Sequence, residues 1–140
     1  RGPQRCNAVN VETQPYPGFP TDLQPQFVAM MTRATGVSAV TETRFENRFG
    51  YADELRRMGA DLQVDRDTII VRGVEKLTGA PVECPRDIRG GAALVLAGLV
   101  AEGDTEIREI HHIDRGYDRI EEKLASLGAC VKRIKDGDDP

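Results

Sequence analysis

The sequence predicts an α/β fold. Three observations point there: a long internal repeat, a helix-opening signal present in both copies, and β-branched stretches lying between the helical ones. "FPTDLQPQFVAMM" recurs in outline as "CPRDIRGGAALVL", aligning Asp22 with Asp87. "ENRF" is echoed by "IDRG", aligning Arg48 with Arg115, and "ELRRMGADLQV" by "KLASLGACVKR", aligning Leu55 with Leu124 and Gly59 with Gly128. The spacing drifts by only a few residues, as small insertions would cause. The chain therefore divides into a leading strand at 6–13, unit one at 14–74, unit two at 80–134 and a polar tail at 135–140.

"CNAVNVET" reads as the leading strand, without a unit of its own before it. Pro and Asp then open a helix at 22–34 and again at 87–101, with Asp22 and Asp87 where an N-cap accepts free backbone N–H groups. With Asp22 as cap, Pro25 falls in the first turn, where its missing donor costs nothing. Gly36 and Gly103 close the two helices. "VSAVTETR" and "DTEIREIHH" follow as extended stretches. A polar turn carrying Asn47-Arg48, or Asp114-Arg115, leads to a second helix with Leu55 and Met58, or Ile120, Leu124 and Leu127, at helical spacing. "DLQV" and "TIIVRGV" return as a hairpin in unit one, and "CVKRI" returns as a strand in unit two.

Composition narrows the function. With 39% hydrophobic and 30% charged residues the chain is of ordinary globular make-up, and with 5% aromatics and no Trp its core is mainly aliphatic. A net charge of −4 with mixed signs supplies no basic field for a phosphate backbone, so nucleic acid is not an expected partner. No apolar run approaches the ~20 residues that span a bilayer. Cys6, Cys84 and Cys130 lie far apart and form no CxxC pair, and the two histidines are adjacent, so no zinc spacing is visible. A reducing cytoplasm is the expected setting, with no metal and no cofactor. Arg1 is not an initiator Met, which points to a piece of a longer chain.

Two groups of residues could carry chemistry. Only Asp22 is preceded by the rigid "PYPGFP", which lowers loop entropy and suits a carboxylate held for catalysis as well as a cap. Arg48 and Arg115 occupy equivalent turns, and Arg89 lies just past Asp87 beside Gly90, Gly91, Ala92 and Ala93, small residues that would leave room for a ligand. Guanidinium forks match carboxylate and phosphate, so three arginines on one cleft suit a small anionic substrate; the plainer reading is solvated surface charge. Cys84 lies near a helix start that could stabilise a thiolate, or is an inert small residue. "GGAALVLAG" lacks the Lys and Ser/Thr of a P-loop.

The stretches "AVNVET", "PYPGFPTDLQPQF", "ETRFENRF", "DELRRMGAD", "VRGVEKLTGAPV", "DIRGGAALVLAGLVAEG" and "HHIDRGYDRIEEKLASLGA" together resemble the carboxy-terminal third of the UDP-N-acetylglucosamine 1-carboxyvinyltransferases. The resemblance runs in order over nearly the whole chain. It implies an inside-out α/β barrel built of three similar units per domain, two of them in this chain, facing a missing amino-terminal domain. It implies transfer of the enolpyruvyl group of phosphoenolpyruvate to the 3′-hydroxyl of UDP-N-acetylglucosamine with release of phosphate. Asp22 resembles the residue that binds the sugar hydroxyl and acts as general base. Arg48, Arg89 and Arg115 resemble the arginines lining the phosphoenolpyruvate site. Position 44 resembles a UDP-sugar contact; Arg44 stands where relatives usually carry an aliphatic residue, so only a backbone contact carries over. The family's proton-donating cysteine belongs to the other domain, so this chain alone is expected to be inactive. Two other readings stay open: a shikimate 3-phosphate enolpyruvyl transferase, against which "PYPGFPTD" and "FENRF" argue, and a non-catalytic UDP-sugar-binding paralogue.

Overall fold

The computed structural model describes residues 2–135, so the expected tail at 135–140 lies, apart from Lys135, outside the described residues. The chain runs β1 (Val11–Glu12), a 3₁₀ turn (Thr21–Leu23), α1 (Gln24–Met31), β2 (Val37–Thr41), α2 (Ala52–Arg57), β3 (Asp61–Asp65) and β4 (Thr68–Arg72). It continues through β5 (Pro81–Glu83), α3 (Ile88–Val100), β6 (Glu106–Arg108), α4 (His111–Asp114) and α5 (Ile120–Ser126). One sheet has the strand order β1-β2-β4-β3, with β1 parallel to β2 and β4 antiparallel to both β2 and β3; β5 and β6 form a second, parallel pair. The order strand, helix, parallel strand occurs twice, as β1-α1-β2 and β5-α3-β6, with β1 drawn from the leading stretch 6–13 and not from unit one. Helices α1 and α3 pack against each other, which brings the two copies together.

The core is aliphatic, as the composition requires. Val28 and Met31 of α1, Val40, Ile69 and Val71 of the larger sheet, Leu55 and Met58 around α2, Val82 of β5, and Leu94 and Ala97 of α3 form one buried cluster. Burying a side chain of the Leu, Ile or Val type contributes roughly 1.5–3 kcal/mol. The aromatic members are Phe49 and Tyr51; Tyr51 is fully buried, and its hydroxyl donates to Gln24 Oε1 and so ties the start of α2 to the start of α1.

Several elements are shorter or different from the expectation. The leading strand is regular only over Val11–Glu12, with isolated bridges at Asn7 and Thr13. Helix α1 begins after a 3₁₀ turn, and Asp22 lies inside that turn without capping it; Pro20 holds the N-cap position and Leu23 that of α1. Asp87 does cap α3, accepting from the Arg89 N–H at 3.0 Å. The stretch "DTEIREIHH" is strand only over Glu106–Arg108, because Glu109 takes a left-handed φ of 55° and turns the chain into α4. "CVKRI" forms no strand among the described residues. Its counterpart β3 exists through its ladder with β4, and no strand among the described residues pairs with "CVKRI". Leu127, at the end of the apolar stripe of α5, is 84% exposed, whereas Leu55 and Met58 of the first copy are fully buried.

Gly90, Gly91, Ala92 and Ala93 are buried in protein and leave no room for a ligand. A Cβ built on Gly91 would lie 2.5 Å from Cys84 Sγ and 2.7 Å from Ile113 Cγ1, so this glycine exists to let α3 approach β5 and α4. Overpacking such a contact typically costs ~1–3 kcal/mol. Gly91→Val is expected to lower the urea unfolding midpoint by an amount equivalent to about 1–3 kcal/mol, whereas Gly2→Val, with open space around it, is expected to leave the midpoint unchanged.

Candidate functional site

The site is built where the starts of α1 and α3 lie side by side. On the α1 side, the lead-in from Pro15 closes on itself: Gly18 N donates to Pro15 O at 2.7 Å, Gln14 N donates to Phe19 O at 2.9 Å, and Phe19 meets Phe27 edge-on at 5.2 Å. A Cβ on Gly18 would stand 2.3 Å from Gln14 Cβ, so only glycine fits the turn. This closed loop delivers Thr21 and Asp22 into the 3₁₀ turn. Because the turn is satisfied by its own backbone, with Leu23 N on Pro20 O at 3.0 Å, the Asp22 carboxylate is left to other partners.

Those partners are two of the expected arginines. Asp22 Oδ1 lies 3.6 Å from Arg48 Nη2, and Oδ2 lies 3.5 Å from Arg89 Nη2. Asp22 remains 61% exposed while Arg48 is 15% exposed, so the acid faces solvent and the cation behind it is walled in. Arg48 is held on four sides: Nη1 donates to Thr21 Oγ1 at 2.9 Å, Nε pairs with Asp87 Oδ2 at 3.5 Å, Nη2 faces Asp22, and the guanidinium lies 4.7 Å over the Phe45 ring. Arg89 donates to the Tyr117 hydroxyl at 2.9 Å, and Gln26 Nε2 donates to the same oxygen at 3.1 Å. The Tyr117 bond, reinforced by the charges of Asp22 and Asp87 against the cost of burial, holds the Arg89 guanidinium more firmly protonated than usual.

Asp22, Asp87, Arg48 and Arg89 form a cluster of two acids and two guanidiniums, formally neutral. Strong attraction for an anion therefore needs a further cation beyond these four groups. The two other expected residues lie outside the ion-paired group. Arg115 is exposed and donates to the Arg86 carbonyl at 2.8 Å. Arg44 has an exposed side chain, and its backbone N–H is committed to Glu42 Oε1 at 2.9 Å.

The sequence pattern passed over Thr21, Tyr117, Gln26 and Glu42. Glu42 carried the clearest signal: Ser38, Val40 and Glu42 alternate on the buried face as β2 runs out, which puts a charged residue where an apolar one is ordinary. Burial opposes ionisation of Glu42, but bonds from Thr21, the Arg44 N–H, Thr13 and Gln24 outweigh it and bring its pKa below the ordinary 4.5. A depressed carboxyl pKa adds stability that is complete above the unfolded value and lost as pH falls through the folded one.

Glu109, His111 and His112 place one ligand atom each within 4.8 Å of one another. Burial, then the positive charges of His111, Arg115 and Arg86, depress the His112 pKa against the pull of Glu109. Two surface depressions lie away from the Asp22 wall, one of them lined by Asp114, Glu121 and Arg133. Asp22, with most of its side chain exposed, sits on an open wall.

The sequence profile of EPSP synthase (3-phosphoshikimate 1-carboxyvinyltransferase) matches residues 1–124. The chain belongs to the EPSP synthase family. Within that family, it is 63% identical over 132 residues to UDP-N-acetylglucosamine 1-carboxyvinyltransferase 2 of Symbiobacterium thermophilum, covering 94% of this chain and 31% of that protein. It is 54% identical over 136 residues to UDP-N-acetylglucosamine 1-carboxyvinyltransferase of Geobacter metallireducens, covering 97% of this chain and 32% of that protein. The chain therefore spans about a third of the length of these curated relatives. Among solved structures it resembles the enolpyruvyl transferase NikO from Streptomyces tendae, with a TM-score of 0.82 and 31% identity over 91% of this chain and 30% of that one. EPSP synthase from Acinetobacter baumannii shares the fold, with a TM-score of 0.68 and 22% identity over 79% of this chain and 27% of that one. The α/β architecture read from the repeat is thus the enolpyruvyl transferase fold, of which this chain covers a part.

Cys84 resolves on the inert side. Burial, then the Asp87 charge, pushes its thiol up to about 11 against the opposing pull of Arg115. The thiolate is the reactive form, so Cys84 is expected to stay unmodified by iodoacetamide at pH 8 while exposed Cys130 is alkylated within minutes. Mass spectrometry of the digested chain reads this directly, and denaturant should make both reactive.

Proposed function

We propose that the full-length protein containing this chain transfers the enolpyruvyl group of phosphoenolpyruvate to the 3′-hydroxyl of UDP-N-acetylglucosamine, releasing phosphate, and thereby opens peptidoglycan synthesis in the cytoplasm. The observation that carries this reading is the exposed Asp22 carboxylate fixed between the Arg48 and Arg89 guanidiniums. Identities of 54–63% to proteins named for that activity support it and favour the UDP-sugar over shikimate 3-phosphate.

Each group then has a task. Asp22 takes the sugar hydroxyl proton as the oxygen attacks C2 of phosphoenolpyruvate, a step that a positioned base speeds by typically 10²–10⁴-fold. Arg48 and Arg89, with Arg115 as the third cation, hold the donor's carboxylate and phosphate. The pairs to Asp22 are long and on its side open to solvent, so a substrate anion can compete for the guanidiniums at small cost. Arg44 contributes backbone to the UDP-sugar. C3 of phosphoenolpyruvate gains a proton on addition and loses one as phosphate departs, which leaves the enol ether on the sugar. Residues 14–74 and 80–134 are read as two of three units of one domain, and the proton donor and remaining cations as parts of the other domain.

The test is phosphate release by the full-length protein from phosphoenolpyruvate and UDP-N-acetylglucosamine. Turnover is expected with the UDP-sugar and not with shikimate 3-phosphate, and residues 1–140 alone should release none. Asp22→Asn should lower kcat by roughly 10²–10⁴-fold. Turnover of shikimate 3-phosphate in its place would replace this reading with the other enolpyruvyl transfer.

A further inference from the structure

Four donors converge on one buried carboxylate that the transferase reading leaves without a task. Glu42 is 3% exposed. Its Oε1 accepts from Thr13 Oγ1 at 3.0 Å and from the Arg44 N–H at 2.9 Å; its Oε2 accepts from Thr21 Oγ1 at 2.8 Å and from Gln24 Nε2 at 3.1 Å. Thr13 and Gln24 are fully buried, and Gln24 is held in turn by the Tyr51 hydroxyl. An ionised carboxylate only accepts hydrogen bonds, so all four partners must donate.

That requirement sets the orientation of Thr21. Its single hydroxyl proton goes to Glu42, which leaves the oxygen lone pairs as acceptors, and Arg48 Nη1 donates into them at 2.9 Å. Thr21 is also the residue before Asp22, and Gln24 begins α1 two residues later. The Arg44 N–H lies at the opening of the loop that carries Arg48. Glu42 therefore holds both chain segments whose side chains face each other at the site. Thr13 and Gln24 tie Glu42 to the core; Thr21 and Arg44 connect it outward.

We propose that Glu42 is a positioning residue of the transferase: its carboxylate fixes the Thr21 hydroxyl as an acceptor for Arg48 and keeps the Asp22 turn and the Arg48 loop at one spacing. No hydrogen bond or ion pair joins Glu42 to Asp22 or Arg48, and it acts through Thr21. The kinetic consequence rests on the transferase reading, while the geometric one does not. Glu42→Gln puts an NH₂ where an acceptor stood, facing donors from Thr21 or Thr13, and frees the Thr21 hydroxyl to turn. Thr21→Val removes the relay from a half-buried position and leaves the core partners of Glu42 in place.

The experiment uses the full-length protein with E42Q, T21V and the double variant, and two readouts. One is kcat and KM for phosphate release, normalised to folded protein by circular dichroism. The other is solvent exchange of the Arg48 Nη1 hydrogens, the ones donated to Thr21, by NMR, which needs no turnover. Each single variant is expected to lower kcat about tenfold or more with KM for the UDP-sugar within about threefold, since misplacement of a catalytic group acts on the chemical step. The double variant should fall little below the worse single one, because both act along one path. Exchange at Arg48 should quicken about tenfold in each. T21V with kcat within about twofold of wild type, or losses that multiply in the double variant, would overturn the proposal. T21V decides alone where E42Q does not fold. Should the wild-type protein turn over no UDP-sugar, the transferase reading fails on its own, and Arg48 exchange still decides: faster exchange in T21V upholds the positioning role, unchanged exchange removes it.

Discussion

An anion taken out of water must be surrounded by donors, and the donors chosen for Glu42 organise the rest of this chain. They come from the loop after β1, from the 3₁₀ turn, from the first residue of α1 and from the loop after β2. These segments are separate elements between Thr13 and Arg44, and one carboxylate brings them to a point. The strand pair β1-β2 stops there, the Thr43 hydroxyl returning to the Thr13 carbonyl, and the chain leaves the ladder to form the loop bearing Arg48. Fold and site are coupled at this residue. A change that unsettles the buried charge has a direct path to the guanidinium wall.

The two copies show how one local signal yields two outcomes. Pro, any residue, then Asp opens both helices in the sequence, and at Asp87 the side chain caps the helix and accepts the Arg89 N–H. At Asp22 the helix start is delayed by a 3₁₀ turn whose backbone satisfies itself, so the same residue type is released from capping. The proline-rich lead-in makes the difference, since it closes on Gly18 and sets the entry of the chain before Asp22 arrives. Stiffness ahead of the acid therefore serves the acid's freedom from the helix. The two aspartates then meet through Arg48, which pairs with both.

What could be read from the sequence was what local chemistry decides. The α/β class, the β3-β4 hairpin, the Asp87 cap and the interest of Asp22, Arg48 and Arg89 follow from repeat, period and residue type. What could not be read depended on distant partners. "CVKRI" has strand composition but no ladder among the described residues, and a strand is defined by its neighbour. Gly90 and Gly91 look like space for a ligand until Tyr51, Pro85, Cys84 and Ile113 are seen to occupy it. Arg115 aligns with Arg48 yet donates to a backbone carbonyl, while the acid next to it, Asp114, is paired with Arg133. Glu42 was discoverable by alternation along β2, but its partners Thr13, Thr21 and Gln24 are ordinary residues whose convergence only the fold creates.

The most direct measurement is a titration of the Glu42 side-chain carboxyl carbon by NMR in the full-length protein, with the Thr21 and Arg48 signals followed alongside. A carboxylate held by four donors should titrate below the ordinary 4.5, and the Thr21 and Arg48 signals should move with the same midpoint. Titration at or above that value, or movement of Glu42 without Thr21 and Arg48, would show that the buried charge does not organise the site.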